Sequence, residues 1–466
     1  GTPTSAISKI INDLKLGDDV IGFFQNDLQQ WVMALGVTGI ESKEQVEVAR
    51  NAIMAKLDDI VKNGFEKEAL EAALNKMDFK FREQTSPDMP RGAKLFQNIL
   101  SHWNYDRDPI QPLHYAKAFG EMRKDMETNY DFLLDLISRR MFNSPHTTYL
   151  DMHPSKYYAH EWQKLEQDWL NHLQDYISVE EGREFLRETS DMRDMQAKGD
   201  TEEALATIPR LQVSDLSKEL YTPPLKIDID LFESGVTTLE HELPFTNGIA
   251  YVDFAVDISN MDFDDVVLLP LFCRLMLEGG TELKTDVQIQ QDIDKAGGGL
   301  SVYPLIEEIV QTEEGGGYVV PDGKHLVTKI VISGACVAAN ECLPLMNLFR
   351  HVMWDSNVRN KQKAEELLVS MIDDMDDDIQ SHGHFYTTQR LESRYSLPGF
   401  VREQWKGITQ LMGMRRALAK IRNGEWDELS LRLIKMQDAM KRGNRNGMVL
   451  SVTGDHSALK DLKGAV

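Results

Sequence analysis

Histidines come first among residues that could do chemistry here, because a hydrolytic zinc centre needs neutral imidazole nitrogens beside carboxylates, often one turn apart on a helix. Neither His-Glu-x-x-His nor the inverted His-x-x-Glu-His occurs in the chain. His160-Glu161 and His241-Glu242 each lack the second histidine. His382-Gly383-His384 is the one close pair, read as following a helix and preceding Tyr386, Arg390 and Glu392. Capping or core packing is favoured over metal ligation for that pair. The acidic run Asp373-Asp374-Met375-Asp376-Asp377-Asp378 lacks the glycine and terminal glutamate of a calcium loop and falls in a helical pattern, so it reads as a solvated helix face. Gly297-Gly298-Gly299 is followed by neither Lys-Ser/Thr nor a dinucleotide fingerprint. With Leu300-Ser301-Val302-Tyr303 next, it reads as a glycine-rich entry to a sheet edge. Gly315-Gly316-Gly317 reads as a hairpin tip. Asp455-His456-Ser457 holds the residue types of a nucleophilic triad, but consecutive side chains cannot converge. No Gly-x-Ser-x-Gly elbow is present. Taken by themselves, the residues supply no catalytic centre.

The elements that would position any site belong to a globular chain. Hydrophobic residues make up 42% and charged residues 27% of 466, enough for two or three domains. The strongest apolar run, Val266 to Phe272, contains Pro270 and is far too short to span a bilayer. The formal charge of −24 argues against a nucleic-acid partner. It suits a basic ligand and equally suits simple solubility. Cys273, Cys336 and Cys342 fit neither a disulfide framework nor a zinc knuckle, and their apolar surroundings predict buried thiols in a reducing compartment. The abrupt opening, without Met or a basic leader, predicts an interior piece of a longer protein.

Two segments share one plan. In residues 32–84 a strand (Val32 to Val37) leads to a Ser42/Gln45 capping box and a helix through Val46, Ala49, Ile53, Leu57 and Ile60. Asn63-Gly64 stops it, and a second helix carries Leu70, Leu74, Met77 and Phe81 on one face. In residues 327–380 a strand precedes a helix capped by Asn340, a break at Asp355-Ser356-Asn357, and a second helix through Ala364, Leu367, Leu368 and Met371. This repetition suggests an internal duplication. Between the copies, residues 157–190 read as charged helix with large side chains, followed by a turn at Ala197-Lys198-Gly199-Asp200 and proline-punctuated linker. Gly248 to Ile258 alternates as a strand, and a buried helix is predicted from Asp262 or Asp264 through Glu278. The fold class expected is therefore α+β.

Several landmarks, in order along the chain, resemble the presequence protease and falcilysin branch of the pitrilysin metallopeptidases. They are Gly1-Thr2-Pro3-Thr4-Ser5, Trp103-Asn104-Tyr105-Asp106-Arg107-Asp108-Pro109, Asn143-Ser144-Pro145-His146 and His241-Glu242-Leu243-Pro244-Phe245-Thr246-Asn247. Leu269-Pro270-Leu271-Phe272-Cys273 and Gly298-Gly299-Leu300-Ser301-Val302-Tyr303-Pro304 match most closely. The resemblance implies two pitrilysin-type α/β sandwich domains joined by a helical hairpin. Residues 1–154 would be the later part of a second domain, 155–225 the linker, and 226–466 a third domain. It implies a zinc metalloendopeptidase whose halves close around a chamber for unfolded peptides such as basic targeting presequences, in a mitochondrial matrix or plastid. The zinc ligands would lie upstream of Gly1, and an assisting Arg and Tyr would lie after Val466. By that alignment Leu271, Arg274 and Leu275 stand where His, Glu and His would be, so this copy of the motif is degenerate and the chain holds no catalytic or metal residue of its own. The partners implied are peptides and the rest of the same polypeptide, without nucleic acid or membrane. A non-catalytic structural relative of the same fold is the alternative reading.

Overall fold

The computed structural model describes residues 5–83, 89–128, 131–142, 144–219, 221–228, 235–308, 326–442 and 447–465. The N-terminal segment contains α1 (Ala6–Leu14), β1 (Asp19–Gln25), β2 (Val32–Thr38), α2 (Lys43–Asn63), α3 (Lys67–Glu83), α4 (Arg91–Trp103), α5 (Tyr115–Thr128) and α6 (Asp131–Ile137). Strands β1 and β2 pair antiparallel as a two-stranded sheet. Ser42 and Gln45 form the expected capping box, and Gly64, at φ 85°, ends α2. Helix α3 forms where expected, but it buries a different face. Ala72, Asn75, Asp78 and Phe79 are its buried residues, while Met77 and Phe81 are exposed. Apolar spacing misassigned the face because Asn75 finds its polar partners far away in sequence, and Asp78 is held by Arg82 one turn on and by the distant Arg123.

Residues 145–222 form a separate compact unit. It contains α7 (Tyr158–Tyr176), α8 (Val179–Ala197) and α9 (Glu202–Ala206). Ile177 leaves α7 in extended conformation, and a Ser178/Glu181 capping box starts α8, so the helical stretch is broken in two there. Trp162, Trp169 and Leu186 are exposed on it.

The C-terminal segment contains β3 (Lys226–Asp228), β4 (Thr237–Glu242), β5 (Ile249–Asp257), α10 (Leu269–Glu278), α11 (Asp286–Ala296), β6 (Leu300–Glu308), β7 (Leu326–Val337), α12 (Ala338–Arg350), α13 (Lys361–Glu392), α14 (Leu397–Lys406), α15 (Ile408–Arg422), α16 (Trp426–Lys441), β8 (Val449–Gly454) and α17 (His456–Ala465). The chain is thus α+β. A six-stranded sheet runs β3-β4-β8-β5-β7-β6, antiparallel except for the β4–β8 pair. Strand alternation sends Ala250, Val252 and Val256 of β5 into the main core with helices α10, α12, α13 and α15–α17. Ile249 and Tyr251 face the other way, against Phe79 of α3.

Three expectations are corrected here. A 3₁₀ turn, Phe263–Leu268, precedes α10, so residues 262–278 are not one helix. Helix α12 starts at Ala338, directly off β7, which places Asn340 inside its first turn rather than at the cap. Helix α13 runs through residues 373–392 and so contains the histidine pair. Gly315-Gly316-Gly317 lie outside the described residues.

The β8–α17 junction is tied by Asp455. Its carboxylate accepts from the backbone N–H of Ala458 (3.0 Å) and Gly248 (2.7 Å), and from Ser457 Oγ (2.8 Å). Burial pushes this carboxyl up, but these hydrogen bonds outweigh it and hold it below the ordinary aspartate value of 3.8. A depressed folded-state value contributes stability above the unfolded value, and that contribution is lost as pH falls through the folded one. Asp455→Ala is therefore expected to cost about 1–2 kcal/mol near neutral pH. The gap between wild type and variant should narrow below about pH 4. Urea midpoints at pH 7 and pH 3 check this; a gap unchanged between them contradicts it.

Candidate functional site

Helix α10 occupies the place where the resemblance would put a metal motif. Its composition makes it a core element. Leu271 and Leu275 are 1% and 0% exposed, and Phe272, Cys273 and Met276 are equally buried. Arg274 points outward and pairs with Glu278 one turn later. The helix ends at Gly279, whose N–H bonds to Leu275 O at 2.8 Å. A Cβ on Gly279 would stand 2.6 Å from Asn357 O, so only glycine permits the chain to pass so close to the start of α13. Leucine side chains offer a cation no lone pair, and a guanidinium repels it. The residues at this place do not fit a zinc ion. Among the described residues, no three His, Cys, Asp or Glu side chains converge on a point.

The other sequence candidates scatter. His160 and Glu161 lie exposed in α7. His241 Nδ1 is 2.9 Å from Pro224 O, and His456 Nδ1 is 3.3 Å from Glu242 Oε1, so His456 faces away from the Asp455–Ser457 contact. Gly298 packs so tightly on β7 that a Cβ there would stand 2.1 Å from Ala335 O; the glycine run is an entry to edge strand β6. The three cysteines are buried, and the Cys336 and Cys342 sulfurs are 3.8 Å apart. His382 and His384 are neither caps nor core. Both are exposed, and His382 is the point where α13 kinks, with φ −127° and ψ 30°. His382 Nδ1 is 2.7 Å from Asp378 Oδ1, and Tyr386 Oη donates to Asp378 Oδ2 at 2.8 Å.

A polar cluster that sequence spacing missed joins α3 and α5 to the large sheet. Asn75, 7% exposed, donates to Lys295 O and Glu341 Oε1, both at 3.0 Å, and accepts from Arg123. Asp78, 6% exposed, accepts from Arg82 Nε at 2.8 Å and lies 3.9 Å from Arg123. Asn247 donates to Tyr115 Oη at 2.8 Å. Burial raises the Glu341 carboxyl, with Arg123 opposing and Glu71 reinforcing. Burial likewise raises Glu83, and pushes its partner Tyr251 up to about 12, with the Glu83 charge adding to that. These groups engage one another across the seam. Their arrangement is a docking seam within one compact unit. Only buried Asn and Asp on an otherwise amphipathic helix could have signalled it.

A family model for the region associated with the M16 peptidases, subfamily C, matches residues 152–416. The chain belongs to that family. Among curated relatives of this peptidase-associated chain, presequence protease 1, chloroplastic/mitochondrial, of Arabidopsis thaliana is 28% identical over 473 residues, covering 100% of this chain and 42% of the relative. The mitochondrial presequence protease of Danio rerio is 24% identical, over 89% of this chain and 38% of its own length. Protein HypA of Clostridium perfringens is 28% identical, over 63% of this chain and 30% of its own. The crystal structure of pitrilysin aligns at TM-score 0.42 and 12% identity, over 100% of this chain and 43% of that one. This member of the family therefore spans about two fifths of the presequence proteases it matches. No helix among its described residues is long and apolar enough to cross a membrane.

Proposed function

We propose that this chain is the central, non-catalytic part of a zinc metalloendopeptidase that degrades unfolded peptides, targeting presequences among them. Residues 1–154 then belong to a second peptidase-like domain, 155–225 to a helical hinge, and 226–466 to a third, degenerate domain. The observation that carries this reading is α10. A chain that aligns from end to end with a presequence protease has core leucines and an ion-paired arginine at the motif positions. The zinc ligands then belong to another part of the full protein. Its substrates are basic peptides, drawn by the charge of −24. The names of the relatives favour the mitochondrion or the plastid. They favour the peptidase over a purely structural relative too.

The purified chain is expected to retain well under one zinc per molecule after dialysis and to leave an unstructured fluorogenic peptide uncut. Elemental analysis and the peptide assay test this together. One tightly held zinc per chain, with chelator-sensitive cleavage, overturns the reading.

A further inference from the structure

Helix α7 carries an apolar stripe that its own unit leaves uncovered. Tyr158, Trp162, Leu165, Trp169 and Tyr176 recur at spacings of four, three, four and seven, so they share one helix face. Each is between 59% and 76% exposed. The rings lie along the helix surface: Tyr158 stacks on Trp162 at 6.2 Å, and Tyr176 lies 4.6 Å from His172. Helix α8 leaves the stripe open and shows Phe185 and Leu186 to solvent itself.

The borders of the stripe carry one sign of charge. Glu161, Asp168 and Asp175 follow at seven-residue intervals along one side, and Glu166 stands on the other. All four are exposed. Lys164 is the one lysine of α7, and the helix has no arginine. A second copy is a poor occupant, because two such stripes laid together set carboxylates against carboxylates in either orientation. A helix with lysine or arginine at its borders meets the same carboxylates favourably. The 19 residues of α7 extend about 28 Å, room for five turns of a partner. The exposed stripe offers roughly 600 Å² of surface. That is below the ~800 Å² per partner of a standard lasting interface, and it suits transient docking by a single helix.

We propose that the stripe on α7 is a docking site for a separate basic amphipathic peptide, which binds there as a helix. Apolar residues of the peptide at spacings of three and four lie against Trp162, Leu165 and Trp169, and its lysines or arginines meet Glu161, Asp168 and Glu166. The assignment stands on the stripe and its charges and makes no use of the peptidase reading.

The test uses the complete 466-residue chain. A dye-labelled peptide of about 18 residues, with leucines at spacings of three and four and arginines beside them, is titrated by anisotropy. A scrambled peptide of the same composition keeps the charge and loses the stripe; it should bind about 10-fold more weakly. The double variant Trp162→Gln with Trp169→Gln, at exposed positions, should weaken binding of the amphipathic peptide about 10-fold. Asp168→Asn with Glu161→Gln should weaken it about 3-fold and flatten its salt dependence. Circular dichroism should show helix gained in the peptide on binding. Equal binding of the scrambled peptide, or binding that the tryptophan variant leaves unchanged, overturns the proposal. So does absence of binding by wild type at 100-fold excess of peptide. A dimer of the chain alone that the tryptophan variant abolishes, seen by sedimentation, overturns it in favour of a second copy. Should the tryptophan variant misfold, the scrambled peptide decides without it. Each of these outcomes leaves the peptidase reading where it stands.

Discussion

Leu275→Ala is expected to destabilise the chain by about 2–5 kcal/mol, while Arg274→Ala, its neighbour on α10, should cost no more than about 1 kcal/mol. The contrast follows from where the two side chains go. Leu275 is 0% exposed and packs in the cluster that holds Phe272, Ile332 and Leu345, so truncation leaves a cavity that a close-packed core cannot collapse. Arg274 is 38% exposed at its side chain and its ion pair is shared with solvent, so little is lost with it. Urea unfolding followed by far-UV circular dichroism measures both. If Arg274→Ala cost as much as Leu275→Ala, α10 would present a working outer face rather than serve as a core strut, and the degenerate-motif reading would lose its physical basis.

Asp78→Ala should cost about 3 kcal/mol, at the lower end for a broken buried pair because Arg82 and Arg123 keep some access to water. The loss should be local. Phe79 packs on Ile249 and Ala335, and Asn75 reaches Lys295 and Glu341, so α3 is fastened to the large sheet by one apolar plug and one polar cluster. Without Asp78, two guanidinium groups remain in the seam with no carboxylate between them. Hydrogen exchange should quicken across residues 67–83 well before it does in α10. A uniform change along the chain, or none, would show that the cluster does not fasten α3.

What the sequence makes legible depends on how far the partners lie. The Ser42/Gln45 box and the Gly64 stop are satisfied within a few residues and are found where local rules put them, and β5 is legible because its alternation is carried by its own residues, although its partner strands lie far along the chain. The buried character of α10 is equally plain, because its run of apolar residues admits no other environment. The inward face of α3 is not legible, since Asn75 is stabilised by groups far along the chain, as Asp78 is in part by Arg123. Strand β1 escapes notice because its register depends on pairing with β2. The start of α12 is misplaced because the strand turns straight into the helix without a capping side chain. The surroundings of His382 are hidden for a similar reason. Asp378 is one turn away and could have been paired with it, but Trp405 joins them only when three helices pack.

The position of β8 has a consequence during synthesis. This strand sits between β4 and β5 in the sheet, yet about two hundred residues of chain separate it from both. While the ribosome is still adding the intervening helices, β4 and β5 have no strand to bridge them, and each offers an unpaired edge. The β5-β7-β6 side can pair before β8 is made, but joining the two halves of the sheet must wait for residues 449–454 to emerge. A nascent chain halted before that point would be the species most in need of a chaperone.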